Sequence, residues 1–371
     1  MKILHPLLCY YPSQAGGPAN TLYWLNKSLD ADQFSCEVVS TDFGLIEDLK
    51  ATEFSTTHKA SFISSKGKPF ISQSIKELKT SDIIQFSSIF FPPTLPLLIS
   101  ALSKNKAVII SPRGELYDAA IRQKSLKKKI WLSVIKRFQN KINFHATNAY
   151  ELKIIQKVFP KAKSYTTIPN YMEMPIKLNN EVGNKLVFVG RINPIKNIHI
   201  LIDAISIVHK GNSNIKLEIL GFARLDYEKE YLSSLQKKVE LLCLENVVLF
   251  KGHIDGEAKN KVIASSKALI LPSKSENFGN VVLEALAQGT PVIASKNTPW
   301  EILNEYNAGY WIDGSAEEIA KSILEVLNLN YSGYLNMREN AFELCKTKFD
   351  IKTNIKVWEN YYKKITKNVQ K

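Results

Sequence analysis

S-K-S-E-N-F-G-N-V-V-L-E-A-L-A-Q-G-T-P-V-I-A-S, residues Ser273 to Ser295, follows the apolar run Ala268 to Leu271 and closes on another, Pro291 to Ala294. Both runs are short, β-prone and bounded by turn residues. They read as buried strands of a parallel sheet, joined by a loop and a crossover helix. Glu276, Asn277, Phe278, Gly279 and Asn280 then lie just past a strand's carboxyl end, where open α/β sheets bind ligands. Gly279 and Asn280 open the helix, whose first amides lack intrahelical acceptors and suit a phosphate. Glu284 sits about a turn inside, close enough for its carboxylate and that of Glu276 to face one ligand. Carboxylates beside a phosphate site suit sugar hydroxyls better than a second anion. The helix macrodipole alone also favours acidic residues near a helix start, so spacing leaves both readings open.

The run E-N-F-G-N-V-V-L-E-A-L-A-Q-G-T-P-V-I-A resembles the E-x7-E signature of retaining GT-B glycosyltransferases of family 4. The likeness extends over nearly the whole chain and is most specific from Gly190 to Ala294. It implies an α/β GT-B fold, two Rossmann-like doubly wound domains facing each other across a cleft. It further implies that Glu276 contacts the donor sugar, that Glu284 holds the nucleotide ribose, and that the amides between them bind the diphosphate.

A chain of 371 residues, 45% of them hydrophobic, suits two soluble α/β domains. The net charge of +14 is concentrated: Lys104 to Lys163 holds fifteen basic residues against three acidic. Four cysteines (Cys9, Cys36, Cys243, Cys345) show neither C-x-x-C pairs nor neighbouring histidines, so neither a zinc site nor a disulfide framework is indicated. The amino terminus, M-K-I-L-H-P-L-L-C-Y-Y-P, reads as a first strand from Lys2 to Tyr11 and not as a signal peptide. Ile89 to Leu102, the most apolar segment, contains three prolines and is too short to span a bilayer.

Further strands are expected at Cys36 to Thr41, Ile83 to Phe86, Ala107 to Ile110 and Asn143 to Ala146, alternating with helices as a parallel sheet requires. Gly16 and Gly17 lie in the loop before the first helix, Ala19 to Leu29. There a small-residue loop lets a ligand approach backbone amides, although a tight turn before Pro18 explains the glycines equally well. The family places this loop near the donor phosphates. Asp30-Ala31-Asp32 matches the D-x-D pattern of metal-dependent glycosyltransferases, yet it closes a helix beside Gln33 and reads as a solvated turn. No metal site is expected. Arg113, in S-P-R-G-E-L, stands where many members of the resembled family carry histidine. Its guanidinium suits a departing diphosphate or an acidic acceptor, and a surface arginine beside a turn is the plain alternative.

Residues 123–142 read as an amphipathic basic helix in which Leu126, Ile130, Val134, Phe138 and Ile142 recur every four residues. That stripe is expected to pack on its own domain, while the lysines, Lys127, Lys128 and Lys129 among them, attract an anionic membrane surface. No nucleic-acid motif or set of stacking aromatics accompanies the basic zone. Asn148 is a candidate helix cap, with Glu151 matching a glutamate common in the family. Pro169-Asn170-Tyr171 resembles the family's I-P-N-G with tyrosine replacing glycine.

The second domain opens with Leu186 to Val189 and G-R-I-N-P-I-K-N. Gly190 permits close approach at the strand end, and Arg191 and Lys196 can converge on one anion. In the resembled family this pattern is the diphosphate clamp. Gly221 ends the next strand, and His253-Ile254 follows another, where the family lodges the nucleotide base against backbone. The last helix, Ile351 to Lys367, is expected to group Val357, Trp358, Tyr361, Tyr362 and Ile365 on one face and, by the resemblance, to cross back to the first domain.

The domains expected are 1–175 (acceptor), 176–184 (linker), 185–349 (nucleotide sugar) and 350–371 (returning helix). The function expected is that of a retaining, metal-independent hexosyltransferase without cofactor. It would use a UDP- or GDP-linked sugar and a glycan or polyprenyl-linked acceptor in bacterial surface-polysaccharide synthesis, on the inner face of the cytoplasmic membrane. A nucleotide-sugar epimerase of the same architecture and a non-catalytic sugar-nucleotide or membrane-binding module are the rival classes.

Overall fold

A computed structural model describes residues 1–10, 17–43, 58–63, 69–122 and 125–367. The chain divides into two compact units, Met1–Glu173 with Ile351–Lys371, and Met174–Asp350. Each is built on one all-parallel sheet, covered by helices as parallel strands require. Each unit is thus an α/β layer of the doubly wound kind that the sequence leads one to expect.

Unit 1 contains β1 (Lys2–Leu7), β2 (Ser35–Thr41), β3 (His58–Ile63), β4 (Ile83–Phe86), β5 (Ala107–Ile110), β6 (Ile142–Ala146) and β7 (Ser164–Thr167), in spatial order β3-β2-β1-β4-β5-β6-β7. The first strand is shorter than expected, ending at Leu7. Edge strands β3 and β7 escape a search for apolar runs, because S-Y-T-T and H-K-A-S-F-I carry little of the continuous apolar character of the central I-I-Q-F and A-V-I-I.

The helix Ile351–Lys367 packs on unit 1, with Ile351, Ile355, Trp358, Tyr361, Tyr362 and Ile365 joining Leu22, Leu25 and Phe34 in one core cluster. Val357 does not share that face and is exposed, because one residue before Trp358 turns it about 100° away. Among the described residues the basic helix runs from Ser125 and ends at Arg137, followed by a 3-10 turn at Gln139–Lys141 and then β6, which takes Ile142. Its expected stripe packs only in part: Phe138 lies against the core and Ile142 is buried, but Leu126 is 70% and Ile130 60% exposed. Residues four apart rotate about 40° per step relative to the helix, so a fourfold repeat drifts off any one face. Leu132 and Ile135 form the buried side, and the Trp131 indole donates to the Ile89 carbonyl at 2.7 Å.

Unit 2 contains β8 (Lys185–Val189), β9 (Lys216–Leu220), β10 (Val248–Gly252), β11 (Ala268–Leu271), β12 (Val292–Ser295) and β13 (Gly309–Ile312), in order β10-β9-β8-β11-β12-β13. The order reverses between β8 and β11. These neighbours are the switch point where a doubly wound sheet leaves room for a ligand at its carboxyl edge. The segment after Met174 lies on this unit: the buried Gln288 amide accepts from Leu178 N (3.0 Å) and donates to Ile176 O (3.1 Å).

Candidate active site

Residues from two motifs meet at the β8/β11 edge. Lys196 ends a short 3-10 turn, Pro194–Lys196, that Asn193 caps by accepting from Ile195 N at 3.0 Å. Its ammonium lies 2.5 Å from the Glu276 carboxylate, which also accepts from Ser273 Oγ at 3.3 Å. The loops are stitched by backbone as well, Lys274 N donating to Ile195 O at 2.8 Å. Both side chains are partly exposed, so the pair can open to another ligand.

Arg191 projects from the end of β8 with 58% of its side chain exposed, and its nearest carboxylate, Glu228, is 3.7 Å away and buried. Glu228 was not anticipated from sequence. It accepts from Asn193 Nδ2 (3.0 Å), Arg224 N (2.9 Å) and Leu225 N (3.2 Å), and so fixes two loops of the edge. Burial raises its pKa, but these donors and Arg191 hold it below the ordinary glutamate value. Its sequence signal was its place in the first turn of the helix Asp226–Leu241, where a glutamate reaches back to preceding amides. Gly221 lets the ends of β8 and β9 touch, since a Cβ there would fall 1.9 Å from the Gly190 carbonyl.

The E-N-F-G loop is bolted from behind. The buried Trp300 donates its indole N–H to Phe278 O at 2.5 Å, and Phe278, Trp300 and Phe349 form an edge-to-face cluster with centroids 5.2 to 6.1 Å apart. Gly279 caps the helix Asn280–Ala287 in a left-handed conformation (φ 81°), and a Cβ there would press on Glu276 Cγ at 3.1 Å. The helix therefore starts where expected, with Asn280 at its first position. Glu284 is held by Lys259 of the helix Gly256–Ala264 at 3.1 Å. His253 and Ile254 follow β10, the imidazole packing edge-on against Phe222 at 5.1 Å.

Residues 172–344 match the family model described as glycosyl transferases group 1. The matched residues fall almost wholly within the second unit. Over 249 residues the chain is 25% identical to the capsular polysaccharide biosynthesis glycosyltransferase CapH of Staphylococcus aureus, covering 64% of this chain and 66% of CapH. It is 26% identical to the alpha-1,3/1,6-mannosyltransferase ALG2 of Yarrowia lipolytica, covering 52% of this chain and 50% of ALG2. The chain thus spans between half and two thirds of the length of these curated relatives. In fold it is similar to Anabaena HepE, solved with UDP and glucose, with TM-score 0.79 and 18% identity over 98% of this chain and 99% of that one.

Outside the matched residues, those of unit 1 stand differently. Gly16 lies outside the described residues, and Gly17 opens the helix Gly17–Ser28. Asp30 and Asp32 form a turn closed by Asp32 N on Asp30 Oδ1 at 3.1 Å. Arg113 sits past β5 in a left-handed conformation (φ 51°), with Nη1 donating to Asn170 Oδ1 at 3.1 Å and Nε and Nη2 buried. Burial lowers its pKa to about 10, against the attraction of Glu151 and Tyr362. Glu151 is buried and accepts from Gly114 N (2.7 Å), Thr147 N (2.8 Å) and Thr147 Oγ1 (2.9 Å), so it shapes the loop that carries Arg113. Asn148 caps the following helix, accepting from Glu151 N at 2.8 Å. Glu115 clamps the loop after β4 through Ser88 Oγ and the amides of Ile89 and Phe90.

Proposed function

We propose that the protein transfers a sugar from a nucleotide-diphosphate donor to a glycan or lipid-linked acceptor with retention at the anomeric carbon. The observation that carries this reading is the Lys196–Glu276 pair, with Arg191 exposed on the same sheet edge. Two cations and the amides at the start of the helix Asn280–Ala287 together match a diphosphate, and the carboxylates of Glu276 and Glu284 match hydroxyls of a sugar and a ribose. When a donor arrives, its phosphates replace Glu276 as the partner of Lys196, and the freed carboxylate orients the sugar. Negative charge growing on the departing diphosphate is met by Lys196, Arg191 and the helix amides, in the place a divalent metal would otherwise take. The acceptor hydroxyl attacks from the face the diphosphate leaves. It passes its proton to a phosphate oxygen, so no side-chain nucleophile is needed. Arg113 enters as a positioning residue, acting through Asn170 and its own loop.

HepE was solved with UDP and glucose and CapH is named for capsular polysaccharide biosynthesis, which supports a nucleotide-linked hexose donor and a surface-polysaccharide role. No helix among the described residues is long and apolar enough to cross a membrane. A peripheral, cytoplasmic-face attachment is supported by the helix Ser125–Arg137, where Leu126 and Ile130 are solvent-exposed between Lys127, Lys129, Lys136 and Arg137. Exposed aliphatics flanked by lysines suit an anionic bilayer surface, each lysine contributing about 1 kcal/mol.

The test is a melting and nucleotide-release screen of the whole protein with UDP, GDP and ADP and their hexose conjugates, with and without EDTA. One nucleotide should raise the melting temperature, and its sugar should be consumed in EDTA with a retained linkage. Inhibition by EDTA that Mn²⁺ reverses would overturn the metal-free mechanism, and altered donor sugar released without acceptor would indicate an epimerase.

A further inference from the structure

The loop after β10 and the helix that carries Glu284 are tied by one lysine. The Lys259 ammonium lies 3.1 Å from each Glu284 oxygen and 3.1 Å from Asp255. It thus bridges the two carboxylate oxygens, which fixes the plane of the group as well as its position. Lys259 is 16% and Glu284 18% exposed, as partly exposed as Lys196 and Glu276, and the second carboxylate, Asp255, adds to the hold on this ammonium. Burial lowers the Lys259 pKa, but the two carboxylates more than offset it and carry it above the ordinary lysine value. Asp255 immediately precedes the helix bearing Lys259 and follows His253 and Ile254. One ammonium therefore joins that loop to Glu284.

We propose that Lys259 is a positioning residue for nucleotide recognition, locking Glu284 as an acceptor-only carboxylate against the His253–Asp255 loop so that the site selects a ribose diol. This inference rests on the reading of Glu284 as the ribose-binding residue. An ionised carboxylate offers acceptors and no donor, so it is satisfied by two neighbouring hydroxyls. A 2′-deoxyribose supplies one hydroxyl fewer and leaves a fixed acceptor unmatched, which a site built for hydrogen bonding rejects. A carboxylate free to rotate would adapt to the single hydroxyl or to water. The selectivity therefore depends on the lysine, which itself need not touch the nucleotide.

Calorimetric titration of the whole protein with UDP and GDP and their 2′-deoxy forms tests this, using Lys259→Met, Lys259→Arg and Glu284→Gln. The wild type should prefer the ribonucleotide about tenfold, the net worth of about one hydrogen bond. Lys259→Met should reduce that preference to about twofold or less, and Lys259→Arg should restore most of it. A merely structural lysine would weaken both nucleotides alike and leave their ratio unchanged. Should Lys259→Met not fold, Lys259→Gln carries the same comparison. Loss of the preference in Glu284→Gln but not in the lysine variants would overturn the inference and leave the ribose reading standing. A wild type with no preference, or with no affinity for either nucleotide, would remove the ribose reading and the inference with it.

Discussion

Each unit sets an arginine just past the carboxyl end of a parallel strand, Arg113 after β5 and Arg191 after β8, yet their surroundings are opposite. Arg191 is mostly exposed, with a carboxylate at the loose distance of 3.7 Å, and its neighbour Lys196 shares an accessible pair with Glu276. Arg113 is half-buried, with Nε and Nη2 shielded, Nη1 bonded to Asn170 and the Glu151 charge attracting it. An ion pair at an open edge can exchange one partner for a ligand at small cost. A guanidinium whose Nη1 is held by the neutral Asn170 amide, and whose other nitrogens are shielded, offers no such exchange. Similar places in similar sheets are thus equipped for different work: exchange in unit 2, fixation in unit 1.

Two substitutions divide that contrast. Lys196→Ala or Glu276→Ala should abolish transfer, with loss on the order of a thousandfold or more, since preorganised charge at a leaving group is worth about 10²–10³ per donor. Their melting temperatures should stay near that of the wild type. Arg113→Met should behave in the reverse sense, lowering activity per folded molecule much less, because its guanidinium is held inside unit 1 by Asn170. A stable Arg113→Met protein with thousandfold lower turnover would make Arg113 a contacting residue and erase the distinction.

The two units also differed in how far their sequences could be read. In unit 2 the apolar runs bounding Ser273–Ser295, Gly190 past β8, and the spacing of Arg191 and Lys196 are local features. Each is fixed by strand geometry or by the demands of a phosphate, and their elements lie where the pattern put them. What could not be read there is which carboxylate meets which cation. The Lys196–Glu276 pair joins residues 80 apart in sequence, and Lys259 sits in G-E-A-K-N-K with nothing local to set it apart from Lys261. In unit 1 the patterns themselves misled. The fourfold stripe from Leu126 to Ile142 suggested one long packed helix, but the helix ends at Arg137 and two of its aliphatics face solvent. The fixing roles of Glu115 and Glu151 are absent from any motif of spacing, because each is defined by amides that only the fold brings together.

The smallest of these effects concerns acid. His145, in β6, is buried beside Trp358, with Nε2 2.9 Å from the Ile168 carbonyl and Nδ1 2.9 Å from Ser111 Oγ. The carbonyl can only accept, so Nε2 carries the hydrogen, and Nδ1 accepts from the serine hydroxyl. Burial first, then the Arg113 charge, lowers the imidazole pKa to about 3. An unfolded histidine titrates near 6.5, so between about pH 6.5 and 3 the unfolded chain binds a proton that the folded one refuses. Stability is therefore complete above pH 6.5 and declines as pH falls, at up to about 1.4 kcal/mol per unit. Glu115 works in the opposite direction, because burial raises its pKa and favours the folded, protonated form as acid is added. The difference between wild type and His145→Gln isolates the imidazole from such terms. Urea midpoints taken from pH 7 to pH 5 should fall in the wild type and fall much less in His145→Gln. Equal slopes would mean that the imidazole is protonated in place, and that the fixed network of unit 1 yields to charge as readily as the open edge of unit 2.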